Sequence, residues 1–591
     1  MIKLIKYLKP YTWLIVMLVV FTYLQVMANL KLPDYIAKIV NEGILGKDMS
    51  SIYRNGELML LVTLGGGICA VIVGYLASRI ATGASRDIRK EMFSKVEGFS
   101  INEFNKFSTA SLITRSTNDV QQIQLALIMI FRMVLMAPFM AIGALQKAWG
   151  MAPSMSWIIA VASLSMLAII ALLFSVGIPK FKLLQKMVDR LNLVTRENLT
   201  GLKVVRAFNN EDKEEVKFEK ANEDLTKLNL FVNRLMVILQ PVMILIMSLS
   251  MVAIVWFGAH LIDAGNLEVG NMMAFMQYAM QVIMSFLMIS IVFIIIPRAS
   301  VSANRVAEVI ETEPTIKNPE SPVKINPKGK GRIEFKQVSF SYPGADLPIL
   351  TEINFTAEPG ETTAFIGSTG SGKSTLINLI PRLYDATSGQ ILIDGVDVKE
   401  LRLEDIYKQI GYVPQQGVLF SGTVKSNIKY GNKKAEDSEM KKSAKISQAA
   451  EFISEFEKQY DNEIAQGGSN VSGGQKQRLS IARALAVKPK IYIFDDSFSS
   501  LDLKTDLQLR EALADETKHK TVLIVGQRIS TISSADKIIV LDEGKIVGQG
   551  KHHDLIKNNE VYQEIASSQL SDEELKAVKL NSQKPILKGA K

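Results

Sequence analysis

The sequence predicts two joined folds: an α-helical membrane domain of six spans with long helical extensions, then an α/β domain built around a phosphate-binding loop. Three observations carry this. Apolar runs near the ~20 residues that cross a bilayer core recur six times, all before residue 300. All but one of the 25 methionines precede residue 310. Beyond that point the composition is that of a soluble domain, and it contains a G-x-x-x-x-G-K-S segment between a strand and a helix.

The spans read as 13–32, 58–77, 128–148, 157–178, 235–262 and 272–296. Lys3, Lys6 and Lys9 precede the first, as in a secretory leader, but its run is too long for one and five more follow, so it is read as retained. Lysine and arginine set the orientation. The segment after span two carries Arg86, Arg89, Lys90, Lys95, Lys106 and Arg115, and that after span four is equally basic from Lys180 to Lys217. The turn 150–156 carries no charge and 263–270 only acidic ones. Both termini and both basic segments are therefore expected in the cytoplasm of a multi-pass plasma-membrane protein. Both basic segments are long, periodic and poor in breakers, so they are expected to be helices running on out of the bilayer.

The net charge of +9 is thus a topology signal, and no nucleic-acid partner is expected. Hydrophobic residues at 48% and charged ones at 21% exclude a disordered chain. The single cysteine, Cys69, excludes an internal disulfide, and with four histidines it leaves little for a structural zinc site. The domains are expected at 1–310 (membrane), 311–331 (a linker with Pro314, Pro319, Pro322 and Pro327), 332–570 (nucleotide-binding) and 571–591 (a polar tail).

The soluble domain holds three motifs. Strand 362–366 leads into Gly367, Ser368, Thr369, Gly370, Ser371, Gly372, Lys373 and Ser374, and an apolar helix follows from Thr375. Glycines let backbone N–H groups turn toward phosphate oxygens, and the helix start adds partial positive charge. Lys373 would reach the outer phosphates of ATP and Ser374 would ligate Mg²⁺. Strand 490–494 ends in Asp495 and Asp496; the first suits the metal and the second the attacking water. Between them Ser472, Gly473, Gly474 and Gln475 open another helix, a second anion-binding start. One domain needs one such site for its own ATP, so the second points to nucleotide held by another domain.

With these motifs in place the chain resembles the ATP-binding cassette (ABC) family, specifically a half-size exporter of the type IV fold with the membrane domain first. The resemblance covers nearly the whole chain and implies a bacterial multidrug-type protein. It implies that two halves pair head to tail and sandwich two ATP molecules, each between one chain's Walker A loop and the other's signature loop. By that resemblance Tyr342 stacks on adenine, Thr375 joins the nucleotide contacts, and Gln415 links the γ-phosphate and metal to the membrane domain. Asp502 is then the D-loop acid, and 104–111 and 208–213 are coupling segments.

Two positions depart from the family. Asp496 stands where glutamate is usual, one methylene shorter, and a misplacement of about 1 Å can cost ~10²-fold in rate. Gln527 stands at the switch position in place of histidine; it can hydrogen-bond but cannot take a proton. Both fall in the site built on this chain's own Walker A loop, while its signature loop is intact. A homodimer would hold two defective sites. The pattern predicts a heterodimer with a second ABC half-transporter that carries the intact glutamate and histidine and a degraded signature loop.

The spans hold few charges, and Arg132 and Lys147 lie near span ends where long side chains can reach the interface. Met272, Met273, Met276, Met280, Met284 and Met288 crowd the sixth span. Thioethers suit varied apolar cargo, and equally serve as filler facing lipid. The expected activity is ATP-driven export of hydrophobic or amphipathic compounds such as drugs. The alternatives are a lipid or peptide exporter subunit, or an ATP-gated regulatory subunit that does not pump.

Overall fold

The computed structural model describes residues 2–569; the expected tail at 571–591 lies outside them. The chain forms two compact units. The first takes in the chain up to Glu97 together with Ser108–Thr312, and the second takes in Gly98–Phe107 and the chain from Glu313 onward.

In the first unit six helices are long and apolar enough to cross a membrane. They lie within Thr12–Lys38, Met49–Glu97, Thr109–Met151, Ser156–Thr200, Glu211–Asp263 and Val269–Glu311, and each expected span falls inside one of them. Met49–Glu97 has 49 residues and Glu211–Asp263 has 53. At ~1.5 Å per residue these reach ~70–80 Å, far beyond a ~30 Å hydrocarbon core. The basic segments are therefore helical continuations of the spans. Pro33, Pro179, Pro241 and Pro297 sit inside these helices without ending them, as neighbouring helices allow in a membrane bundle.

Small side chains let the helices approach: Ala144, Ala148, Ala274 and Ala279 are buried beside Val26, Leu30, Ile254, Phe275 and Tyr278. Lys147 finds a partner instead of only reaching outward. Its ammonium lies 2.6 Å from Asp34 Oδ2, and the buried Tyr278 hydroxyl donates to Asp34 Oδ1 at 2.6 Å. A cation at the edge of hydrocarbon costs less when paired. The sixth-helix methionines differ in their surroundings. Met272 and Met276 pack on the apolar cluster, whereas Met280 and Met284 are exposed.

The second unit holds a six-stranded sheet in the order 545–550, 537–542, 362–367, 521–525, 491–495, 410–413. All neighbours are parallel except the first pair. Ile491–Asp495 and Thr521–Val525 are buried along their whole length, as parallel strands covered on both faces must be. An antiparallel sheet of four strands packs alongside; its strand Ile333–Phe340 alternates buried and open positions, the mark of a sheet with one covered face.

A helical layer, built on Val424–Ile428, Asp437–Ile446, Ala450–Glu455 and Gly473–Ala486, encloses Ile428, Met440, Phe452 and Leu479. Arg483 pins its longest helix, donating to Asn427 O at 3.0 Å and Val418 O at 2.8 Å while its guanidinium faces the Phe420 and Tyr430 rings. The short helix Ile101–Phe107 belongs to this second unit although it lies between two membrane helices in sequence. Ile101 packs on the sheet core, and the buried Glu103 accepts from Ser100 and from the Thr315 backbone.

Candidate nucleotide site

The site residues gather at the carboxyl ends of parallel strands, where open α/β sheets bind ligands. Strand Thr362–Gly367 delivers the phosphate loop and Ile491–Asp495 delivers the acidic pair. Between them Thr521–Val525 pairs with both and ends two residues before Gln527. Strand Ile410–Val413, on the far side of the acidic strand, ends two residues before Gln415.

Gly372 caps the loop helix Lys373–Leu379 with φ 94°, a left-handed conformation that favours glycine, and a Cβ there would stand 2.7 Å from Leu350. The Lys373 ammonium folds back over the loop, donating to Gly367 O at 2.9 Å and Ser368 O at 2.8 Å. Burial holds it below its usual pKa, against Asp496 and Asp495, which raise it. The Ser374 hydroxyl donates to Asp495 Oδ1 at 3.0 Å. Burial pushes the Asp495 carboxyl up, offset by Ser374 and Lys373, while Asp496 pushes it further. The Tyr342 hydroxyl lies 2.9 Å from Thr375 Oγ1, which sets its ring beside the loop helix.

Asp496 is buried and adopts φ 46°, uncommon for a residue other than glycine. Its Oδ2 accepts from Gln527 Nε2 at 2.7 Å and from Gln415 Nε2 at 3.3 Å. Burial raises its pKa, opposed by the Gln415 hydrogen bond and Lys373. The two positions that depart from the family therefore bond each other directly, an amide clasping a carboxylate.

Ser472, Gly473, Gly474 and Gln475 lie apart from this cluster. Ser472 caps the helix Gly473–Ala486 in a capping box: its hydroxyl accepts from Gln475 N–H, and Gln475 Oε1 accepts from Ser472 N–H. Ser472 and Gly473 are exposed, and a Cβ on Gly473 would meet nothing within 4 Å. Asp502 caps the helix Leu503–Thr517, accepting from Thr505 N–H at 3.0 Å, which lowers its pKa.

One contributor was not legible in the sequence. Gln569, two residues beyond the last described helix, Glu560–Ser567, donates to Gln527 O at 2.8 Å and accepts from Ile529 N–H at 2.9 Å. A single amide thus clamps the backbone on both sides of Arg528. The helix is held by Tyr562 and Ala566, buried against Ile366, Ile529 and Ile532. No motif marks a polar residue so far along the chain.

A Mg²⁺ ion prefers hard oxygen ligands and keeps several positions for water and phosphate. The Ser374 hydroxyl and the Asp495 carboxylate, 3.0 Å apart beside the phosphate loop, fit that preference. The amide of Gln415 stands against the neighbouring Asp496.

Comparison with known proteins agrees with this geometry. Residues 15–286 match the ABC transporter transmembrane region and residues 350–499 match the ABC transporter family. An uncharacterised ABC transporter ATP-binding protein of Mycobacterium tuberculosis is 40% identical over 95% of this chain and 97% of its own length. A putative multidrug export ATP-binding/permease protein of Staphylococcus aureus is 35% identical over 84% and 86%. An ATP-dependent lipid A-core flippase of Hahella chejuensis is 31% identical over 96% and 97%. The structure of a bacterial Atm1-family ABC exporter with ATP bound superposes with a TM-score of 0.80 at 24% identity, over 95% of this chain and 99% of that one. The chain belongs to the ABC transporter family, as a half-transporter of the exporter fold that joins one membrane domain to one ATP-binding domain.

Proposed function

We propose that the chain is one half of a heterodimeric exporter of hydrophobic or amphipathic compounds, and that its own ATP site is the slow one. The observation that carries this is the clasp of Gln527 and Gln415 on one oxygen of Asp496. A general base must place an oxygen within hydrogen-bond reach of the attacking water, and the two amides, by holding Oδ2, fix where the other oxygen of a side chain one methylene short can point. Here the short carboxylate is drawn back into two amides, and neither can take up its proton. The site still suits binding: Lys373, the loop N–H groups and the helix start can hold phosphates, and Mg²⁺ on Ser374 and Asp495 would neutralise their charge.

The fast site is then formed on a partner's phosphate loop and closed by this chain's Ser472, Gly473 and Gly474. The Gly473 and Gly474 N–H groups at that helix start can be offered to a γ-phosphate, and a Cβ on Gly473 would meet nothing within 4 Å. The partner is a second half-transporter with glutamate and histidine at the equivalent positions. Both chain ends and the helical extensions face the cytoplasm, as the basic segments favour. The relatives' names support export and span both drugs and a lipid, so the cargo class rests on the membrane helices themselves.

The test compares steady-state ATP hydrolysis by the full chain alone and by the chain co-purified with a second half-transporter. The expected result is ATP binding with slow turnover alone and fast turnover in the complex. Brisk hydrolysis by a verified homodimer of this chain overturns the reading.

A further inference from the structure

Helix Thr109–Met151 carries two cations that an apolar setting penalises, and the fold treats them differently. Lys147 is paired with Asp34. Arg132 has no hydrogen-bond or carboxylate partner among the described residues. It lies about one turn inside the expected span, and a guanidinium keeps its charge at any ordinary pH. Arg132 is exposed, so its charge is open to whatever occupies the space beside it, and ionisable groups within spans are typically kept for function.

The surroundings of Arg132 are organised. It lies in a π-helical stretch, Ile130–Val134, closed by a hydrogen bond from Leu135 N–H to Ile130 O at 3.1 Å. Such insertions widen one turn and recur at functional sites. The same stretch walls a cavity of about 400 Å³ lined by Gln25, Met129, Arg132, Met133, Met136 and Met288 among others. Met129, Met133 and Met136 follow one another at spacings of four and three, so they share a face with Arg132 at its edge. Four adaptable thioethers, one neutral amide and one fixed positive charge therefore face a single space. Its volume is at the lower end of small-molecule sites, ~300–1,000 Å³.

We propose that this cavity binds a single-tailed anionic amphipath, with Arg132 as the counter-ion of its head group and the methionines around its apolar body. The proposal rests on the export reading and narrows its cargo. Arg132 supplies the charge complement that the chain itself withholds; the thioethers tolerate many tail shapes. The head group can be a sulfonate, carboxylate or phosphate monoester, since a guanidinium fork fits each of them.

The test measures binding to the full chain in nanodiscs of zwitterionic lipid, so that it depends on neither partner nor transport. The probes are a dansyl-tagged decyl sulfonate and the decyl trimethylammonium compound with the same tag. The sulfonate is expected to bind at least about tenfold more tightly. Arg132→Gln should remove that preference and Arg132→Lys should keep most of it, with ATP binding to the second unit unchanged as the check on folding. Equal affinity for the two probes, or a sulfonate preference that survives Arg132→Gln, overturns the proposal. Dioleoyl phosphatidate doped into the disc should not displace the sulfonate; displacement would make the occupant a two-chain lipid and overturn it as well. Selective binding without transport by the assembled complex would count against the export reading and leave the site standing.

Discussion

The phosphate-loop face and the signature face of the second unit hold their functional groups differently. On the first, the Lys373 ammonium, the Ser374 hydroxyl and the Asp496 carboxylate are all bonded to the chain itself. ATP must displace some of these bonds on arrival, and Oδ2 of Asp496 is already held by two amide donors. On the second, Ser472 and Gln475 complete a capping box and leave the start of the helix open to solvent. On the proposed reading that face takes a phosphate held by the partner. The proposed reading makes this chain a poor enzyme on its own nucleotide and a good one on its partner's.

The largest expected effect is on the signature face. Gly473→Glu in the assembled heterodimer should lower ATP turnover by ~10²–10³-fold, because a bulky anion would stand where backbone N–H groups meet phosphate. Asp496→Asn should cost less than about tenfold in the same steady-state assay, since that carboxylate is already clasped. A larger loss from Asp496→Asn would invert the comparison.

Next comes Lys373→Ala. Loss of a charge-assisted contact should weaken nucleotide binding to the chain's own loop by ~10–100-fold, read with a fluorescent ATP analogue on the isolated full chain. Turnover of the complex should fall by less. Complete loss of turnover, with the partner's lysine dispensable, would reassign the fast site to this chain.

Gln569→Ala should act more gently, by freeing the backbone around Arg528. Hydrogen exchange at the Ile529 amide should quicken by about five- to tenfold, in line with one lost hydrogen bond of ~1 kcal/mol. Gln569→Glu keeps the acceptor for Ile529 N–H and should restore protection there. Unchanged exchange in Gln569→Ala would show that the buried helix alone fixes the switch loop.

The smallest effect is on stability. Burial raises the Asp496 pKa, so the folded state holds that proton more tightly than the unfolded chain does. Any stability linked to this is present in acid and fades as pH rises through the raised value. Asp496→Asn removes the buried charge and still offers an acceptor to Gln527. It should therefore raise the unfolding midpoint near neutral pH, on the order of 1 kcal/mol, with the gain shrinking in acid. A variant less stable than the parent at neutral pH would show that the clasp holds the domain together.

Much of this was legible in the sequence because it is local. A membrane span is a matter of length and apolarity in one continuous run, so all six fell inside observed helices. The phosphate loop is eight consecutive residues, and the acidic pair closes an unbroken apolar strand. The departures at Asp496 and Gln527 could be read one at a time. Their meeting could not: it depends on strand Thr521–Val525 inserting between Thr362–Gly367 and Ile491–Asp495, an order the chain does not follow in sequence. The same holds for Gln569 on the switch loop, for Ile101–Phe107 joining the second unit, and for Asp34, which gives Lys147 a partner. Local patterns record what each segment must bury or expose. Which polar groups then satisfy one another across long stretches of chain is decided only when the packed elements fix their distances.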